Sequence, residues 1–105
     1  MRTLLTRTNH KYLYWDIRQQ LVHHTSNGCN VRAGDILASG TISGPERSNW
    51  GCMLELTWNG MEPLTLADGT QRAFLEDGDF IEIHGWTGVN KSVDLGIIRN
   101  PVNYE

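Results

Sequence analysis

Residues 80–84 read Phe-Ile-Glu-Ile-His (FIEIH), and this stretch decides the fold class. Side chains of a β-strand point alternately to its two faces. The two isoleucines therefore share one face, and the phenylalanine, glutamate and histidine share the other. Such alternation is typical of a strand that packs one face against other residues. We predict a strand here and expect further strands in the surrounding sequence.

Turn signals cut the chain into short segments from Val31 onward. They are Arg32-Ala33-Gly34-Asp35, Ser43-Gly44-Pro45, Asn59-Gly60, Ala67-Asp68-Gly69 and Glu76-Asp77-Gly78-Asp79. Asn-Gly suits the positive φ angles of a type I′ turn, so the flanking segments "CMLELTW" and "MEPLTL" are predicted to pair as a hairpin. A last strand is predicted over residues 93–98, and the polar tail after Pro101 is expected to fray.

One helix precedes this β-rich region. Leu13, Ile17, Leu21 and His24 follow each other at helical spacing. Thr8 or Asn9 can cap its start, and Asn27-Gly28 can end it. The predicted fold is therefore α+β and mostly β, with one N-terminal helix followed by antiparallel or mixed strands.

Length and composition are those of one ordinary globular domain. The chain has 105 residues, 39% of them hydrophobic and 20% charged, so we expect residues 1–105 to form a single domain with a modest core. The formal net charge is −3 and no basic block is present, which argues against nucleic-acid binding. The sequence has no apolar run of membrane-spanning length, and the apolar patch near its N-terminus is too short for a signal peptide. We therefore expect the protein to be cytoplasmic, without membrane contact.

Glu55 is the most informative charged residue, because it lies within an apolar segment that is predicted to be a strand. A carboxylate there either faces solvent or is buried beside a partner that stabilises its charge. Acidic residues are rarely fully buried, so composition favours the solvent face. The sequence by itself leaves both alternatives open.

The other polar residues give weaker signals. His23 and His24 are adjacent on the helix and point about 100° apart, which disfavours a shared metal. Glu76-Asp77-Gly78-Asp79 lacks the ligand spacing of a calcium loop. Cys29 and Cys52 fit neither a zinc motif nor a redox pair, and are expected to be reduced thiols.

Residues 11 to about 85 nevertheless resemble a known family. "KYLYW", "QQLVHHTSNGCNVRAGDILASGTISGPE" and "GCMLELTWNG" are similar to the C-terminal part of the fumarylacetoacetate hydrolase (fumarylacetoacetase) family. The resemblance implies that the strands form part of that family's β-roll. It also implies a hydrolase that cleaves a carbon–carbon bond of a β-diketone, with a metal that holds the substrate oxygens and a histidine that activates water.

The resemblance assigns roles to three residues. Glu55 matches the glutamate that orients the catalytic histidine, and Gly40 and Thr41 match contacts to a substrate carboxylate, which implies a small carboxylate ligand. The family's catalytic histidine and its metal-binding carboxylates lie upstream of the matching region. We therefore expect no metal site or other cofactor in this chain, although the family uses Mg²⁺ or Ca²⁺.

Three interpretations of the function remain open. The chain is a stand-alone, truncated version of this module, such as a gene-cassette product, without hydrolase activity alone and acting as a binding or scaffold protein. Alternatively, it is one component of a split hydrolase that a complementary upstream-half chain completes, or a piece cut from a longer enzyme. The polar ending "VDLGIIRNPVNYE" also differs from the apolar tail of the family. The first interpretation implies a homo-oligomer, because an incomplete fold exposes an apolar face.

Overall fold

A computed structural model describes residues 1–103 of the chain. It confirms an α+β, mostly β fold that contains two antiparallel sheets of two strands each. The elements are, in order, a 3₁₀ turn His10–Tyr12, α1 (Ile17–Thr25), a 3₁₀ turn Arg47–Asn49, α2 (Met53–Leu56), β1 (Leu64–Thr65), β2 (Gln71–Arg72), β3 (Phe80–Thr87), a 3₁₀ turn Val89–Lys91 and β4 (Val93–Pro101).

The strand predicted from FIEIH is confirmed as the start of β3. This strand pairs antiparallel with β4 from Phe80 opposite Pro101 to Thr87 opposite Val93, and the register shifts between Gly85 and Trp86. We call this pair of strands the ribbon. The last predicted strand is also confirmed, and it is three residues longer than expected.

Val102, the first residue after the ribbon, is hydrogen-bonded through both its N–H and its carbonyl, at the start of the tail that is expected to fray. The Val102 N–H donates to the carbonyl of Asp79 at 2.7 Å, and the Gly78 N–H donates to the carbonyl of Val102 at 2.8 Å. Residues 104 and 105, for which fraying is also expected, lie outside the described residues.

The predicted helix begins later than its hydrophobic spacing indicated. Asp16 caps α1, since its side chain accepts from the Gln19 N–H while the Gln19 side chain accepts from the Asp16 N–H. This reciprocal pair is a capping box, which satisfies two N–H groups at once. Asn9 caps only the 3₁₀ turn that begins at His10. The predicted end is confirmed, because Gly28 has a φ of +86° and donates to the carbonyl of Thr25.

The hairpin predicted at Asn59-Gly60 is wrong, because the preceding residues form the helix α2. The Trp58 N–H donates to the carbonyl of Glu55 and the Asn59 N–H to that of Leu54, the two bonds of a Schellman helix ending. The positive φ angles at 58–60 therefore close a helix. Instead, β1 pairs with β2 across the turn that was predicted at Ala67-Asp68-Gly69.

The expected modest core is not closed within the described residues. Only Leu56 and Thr57 are buried. The accessible surface is 8822 Å², whereas a folded protein of 11.9 kDa exposes about 5,900 Å². The radius of gyration is 16.5 Å, compared with about 13 Å for a compact chain of this length. Much apolar surface is thus left uncovered. No helix in residues 1–103 is both long and apolar enough to cross a membrane.

Candidate functional site

Glu55 lies on helix α2 and not on a strand, and its carboxylate is held by a hydrogen bond from Ser43. The Ser43 hydroxyl donates to Glu55 Oε2 at 2.5 Å. The same hydroxyl oxygen accepts from the Gly51 N–H at 3.1 Å. All three residues are half-buried. Of the two alternatives for Glu55, the structure thus favours the partly buried carboxylate with a partner.

Gly51 brings its N–H to Ser43 because the chain passes very close to residues 41 and 42. A Cβ atom at Gly51 would lie 2.2 Å from the carbonyl oxygen of Ile42 and 2.9 Å from Cγ2 of Thr41. Contacts this short do not occur between real atoms, so only glycine allows this approach. The loop that carries Thr41 is thereby packed against the segment that leads into α2.

Of the predicted substrate contacts, Thr41 packs against Gly51 of this network, and neither Thr41 nor Gly40 makes a hydrogen bond with Glu55 within the described residues. Gly40 has a φ of +77° and no neighbour within 4 Å of its missing Cβ, so its backbone conformation is what requires glycine. Thr41 is exposed, and its methyl group faces Gly51. Their roles toward substrate remain predictions.

Buried polar contacts fix the position of helix α2. Thr57 is fully buried, and its hydroxyl donates to the carbonyl of Met53 at 2.7 Å and accepts from the Gly60 N–H at 3.0 Å. The guanidinium of Arg47 donates to the carbonyl of Leu56 at 2.7 Å. These bonds satisfy backbone groups at the end of a one-turn helix that could not be stable alone.

A concave surface lies beside Glu55. It is lined by Ser43, Gly44, Trp50, Leu54, Glu55, Trp58, Asn59 and Met61. The rings of Trp50 and Trp58 pack edge to face with centroids 5.9 Å apart. We call this surface the tryptophan groove. Sequence reasoning missed it together with Ser43; the signal available was the pair of tryptophans that flank the "MLEL" segment.

The four histidines lie on other elements of the fold than Glu55 does. His10 is in the first 3₁₀ turn, His23 and His24 end α1, and His84 lies on the ribbon, where its Nε2 is 3.0 Å from Asp94 Oδ1. None of them makes a hydrogen bond with Glu55. The role of Glu55 toward a histidine remains a prediction.

The residues described do not fit a bound metal. Within residues 1–103, no three His, Cys, Asp or Glu side chains come together in a group that could hold an ion. The Asp77-Gly78 turn places Asp79 against Arg72, with Oδ1 3.0 Å from Nη2. Cys29 is exposed, Cys52 is half-buried, and both are free thiols.

Comparison with known proteins identifies the family. Residues 2–103 match the model of the fumarylacetoacetate hydrolase C-terminal domain. The chain is 58% identical over 82 residues to fumarylacetoacetase of Arabidopsis thaliana and 56% identical over 82 residues to that of Homo sapiens. It is also 54% identical over 86 residues to fumarylacetoacetase fahA of Aspergillus fumigatus.

These alignments cover 78%, 78% and 82% of this chain but only 19%, 20% and 20% of the respective relatives. The chain thus spans about a fifth of the length of the curated relatives it matches. The resemblance seen in the sequence is confirmed: the chain belongs to the fumarylacetoacetate hydrolase family, and it corresponds to the C-terminal part of its members.

Proposed function

We propose that this chain is a binding module of the fumarylacetoacetate hydrolase family that has no hydrolase activity by itself and associates with a second copy. The observation that carries the proposal is the uncovered apolar surface. The total accessible surface exceeds that of a compact protein of this mass by several times the roughly 800 Å² that each partner buries in a stable complex, and many large apolar side chains are among the exposed residues. The cytoplasmic location expected from the sequence is part of this proposal.

The ribbon supplies the most coherent apolar patch. Directly paired residues share a face, so Ile83 and its partner Ile98 lie on one side of the ribbon. Leu95 lies on the same side, since its Cβ is 3.5 Å from the Cβ position of Gly85. Ile83, Leu95 and Ile98 are 59%, 67% and 60% exposed. We call this side the aliphatic face.

The charges of the ribbon lie on its other side. Arg99 donates to Glu82 at 2.8 Å, and Arg2 approaches the same carboxylate. His84 Nε2 forms a hydrogen bond with Asp94 Oδ1. Because the aliphatic face carries no charge, a second copy of it can pack there without repulsion. A two-stranded ribbon is also marginal in water unless another layer covers it.

Light scattering at high protein concentration tests the association. We expect an oligomer for the native chain and a monomer for Ile98→Lys, which places an ammonium group in the aliphatic face. Ile36→Lys, at a 92% exposed position that is not part of the ribbon, should leave the oligomer intact. A monomeric native chain, or an Ile98→Lys variant that associates like the native protein, would contradict the proposal.

A second candidate function is favoured by the geometry of Glu55. Its Oε2 accepts from Ser43, whereas Oε1 makes no hydrogen bond within the described part of the chain. A carboxylate with one oxygen fixed and one available can accept an N–H from an imidazole and stabilise the charged ring during proton transfer. In this second proposal a complementary chain contributes the histidine and the metal site of a split β-diketone hydrolase.

Co-expression tests the split enzyme. The partner is the fumarylacetoacetase of Homo sapiens without its matching C-terminal segment, and the readout is loss of the β-diketone absorbance in the presence of Mg²⁺ or Ca²⁺. We expect no turnover from this chain alone and turnover from the complex. Glu55→Gln should lower that rate at least about a hundredfold.

Glu46→Gln is the matched control, because Glu46 is exposed and its side chain makes no hydrogen bond within residues 1–103. A complex that forms and stays inactive would contradict the split enzyme. Turnover by this chain alone would contradict the first proposal, and would assign the base to one of its own histidines.

A further inference from the structure

We infer that Ser43 is a positioning residue that fixes the carboxylate of Glu55 through its hydroxyl group. The inference rests on the proposed role of Glu55 toward an imidazole. It concerns which of the two carboxylate oxygens is held, and by what.

The bonds around Ser43 determine the direction of its hydroxyl proton. A hydroxyl group has one proton to donate and two lone pairs to accept with. The Gly51 N–H occupies a lone pair at 3.1 Å, and an ionised carboxylate can only accept. The proton of Ser43 must therefore point to Glu55 Oε2. A hydroxyl group that donates to an ionised carboxylate forms a charge-assisted hydrogen bond, which is stronger than one between neutral groups.

The backbone around Ser43 is closely packed. The close approach of Gly51 to Ile42 leaves no room for the Ser43 segment to shift toward it. Ser43 thus joins the loop that carries Thr41 to the helix that carries Glu55. Rotation of the Glu55 side chain would break this bond, so one carboxylate oxygen stays with Ser43 while the other makes no hydrogen bond within the described residues.

Nuclear magnetic resonance on this chain alone tests the inference. In Ser43→Ala the Gly51 N–H loses its acceptor, and its hydrogen exchange should become up to about tenfold faster. The carboxyl ¹³C resonance of Glu55 should move as well, which a purely structural role elsewhere in the loop would not cause. Ser48→Ala is the control, since the Ser48 hydroxyl makes no hydrogen bond in the described chain and only its carbonyl is used.

Two further variants keep the test decisive if Ser43→Ala unfolds the chain. Ser43→Thr retains the hydroxyl and should preserve both signals. Glu55→Gln removes the charge of the acceptor and should shift the Ser43 hydroxyl proton upfield while the Gly51 amide stays protected. Unchanged signals in Ser43→Ala, or a Ser43 hydroxyl proton unaffected by Glu55→Gln, would overturn the inference.

The test is independent of hydrolysis, so its failure and the failure of the split enzyme can be told apart. If the co-expressed complex is active, Ser43→Ala should lower kcat about tenfold and leave KM unchanged, because Ser43 acts through Glu55 and does not touch substrate. A rise in KM with constant kcat would instead indicate a role in binding and would overturn the assignment.

Discussion

Arg72 at the end of β2 binds the carboxylate of Asp79, which immediately precedes β3, and so joins the small sheet to the ribbon. Nε lies 3.2 Å from Oδ1 and 3.0 Å from Oδ2, and Nη2 lies 3.0 Å from Oδ1. The Glu76 N–H donates to Oδ2 of the same carboxylate. Both side chains are largely covered, with 23% and 19% exposed. A bidentate pair of this kind is among the stronger side-chain contacts in proteins.

The first prediction concerns this ion pair. Asp79→Asn removes the charge that faces Arg72 and should lower the urea midpoint of unfolding without a change in the denaturant slope. Asp77→Asn is the control, since it changes a carboxylate in the same turn that has no side-chain hydrogen bond in residues 1–103. Equal midpoints for the two variants would show that the pair does not stabilise the fold.

The second prediction is a loss of stability in acid. The hydrogen bonds from Arg72 hold the pKa of Asp79 below its usual 3.8. The pKa of Asp94 is also lowered, chiefly by the hydrogen bond from the Gly96 N–H and next by the one with His84. A carboxyl group whose pKa is lower in the folded state stabilises that state fully above the unfolded pKa, and this stabilisation disappears as the pH falls through the folded pKa. Stability should therefore fall below about pH 4.

Urea midpoints measured from neutral pH down to acid would check this dependence. The decrease should be shallower in Asp79→Asn and in Asp94→Asn than in the native chain, because each variant removes one titrating group. Parallel pH curves for all three proteins would mean that other carboxyl groups cause the acid sensitivity.

Local patterns allowed part of this fold to be predicted from sequence. The alternation in FIEIH fixed β3, and Asn27-Gly28 marked the end of α1, because both signals depend on a few neighbouring residues. The "MLEL" segment fits a strand or a helix equally well. Two features distinguish α2 from a strand. They are the positive φ of Trp58, an unusual conformation that its residue type does not predict, and the buried hydroxyl of Thr57.

The candidate site was less predictable, because its contacts join distant residues. Glu55 was singled out as a carboxylate in an apolar segment and received its role from the resemblance, but its bond to Ser43 spans 12 residues and depends on the close approach of Gly51. Spacing within one element cannot reveal such a contact. An uncovered apolar face was expected of an incomplete fold, but its location on the ribbon was not, since composition indicates how much apolar surface a chain has and not where the fold leaves it exposed.

The third prediction tests the close approach at Gly51. Gly51→Ala places a Cβ against the carbonyl oxygen of Ile42, and backbone cannot move aside as a side chain can, so the free energy of unfolding should fall by about 1–3 kcal/mol. Gly85→Ala is the control, because its Cβ would meet Leu95 at an ordinary 3.5 Å. Thermal unfolding of both variants makes the comparison. A smaller loss for Gly51→Ala than for Gly85→Ala would contradict the packing described.

The fourth prediction separates the hydroxyl of Thr57 from its volume. Thr57→Val keeps the shape but leaves the Gly60 N–H without its acceptor and frees the Met53 carbonyl from its second donor, so unfolding should become easier by about 1–3 kcal/mol. Thr57→Ser keeps both bonds and loses only a buried methyl group, which costs about 1 kcal/mol. Urea unfolding should therefore rank the native chain above Thr57→Ser and Thr57→Ser above Thr57→Val. The reverse order of the two variants would show that packing, rather than hydrogen bonding, holds α2 and Glu55 in place.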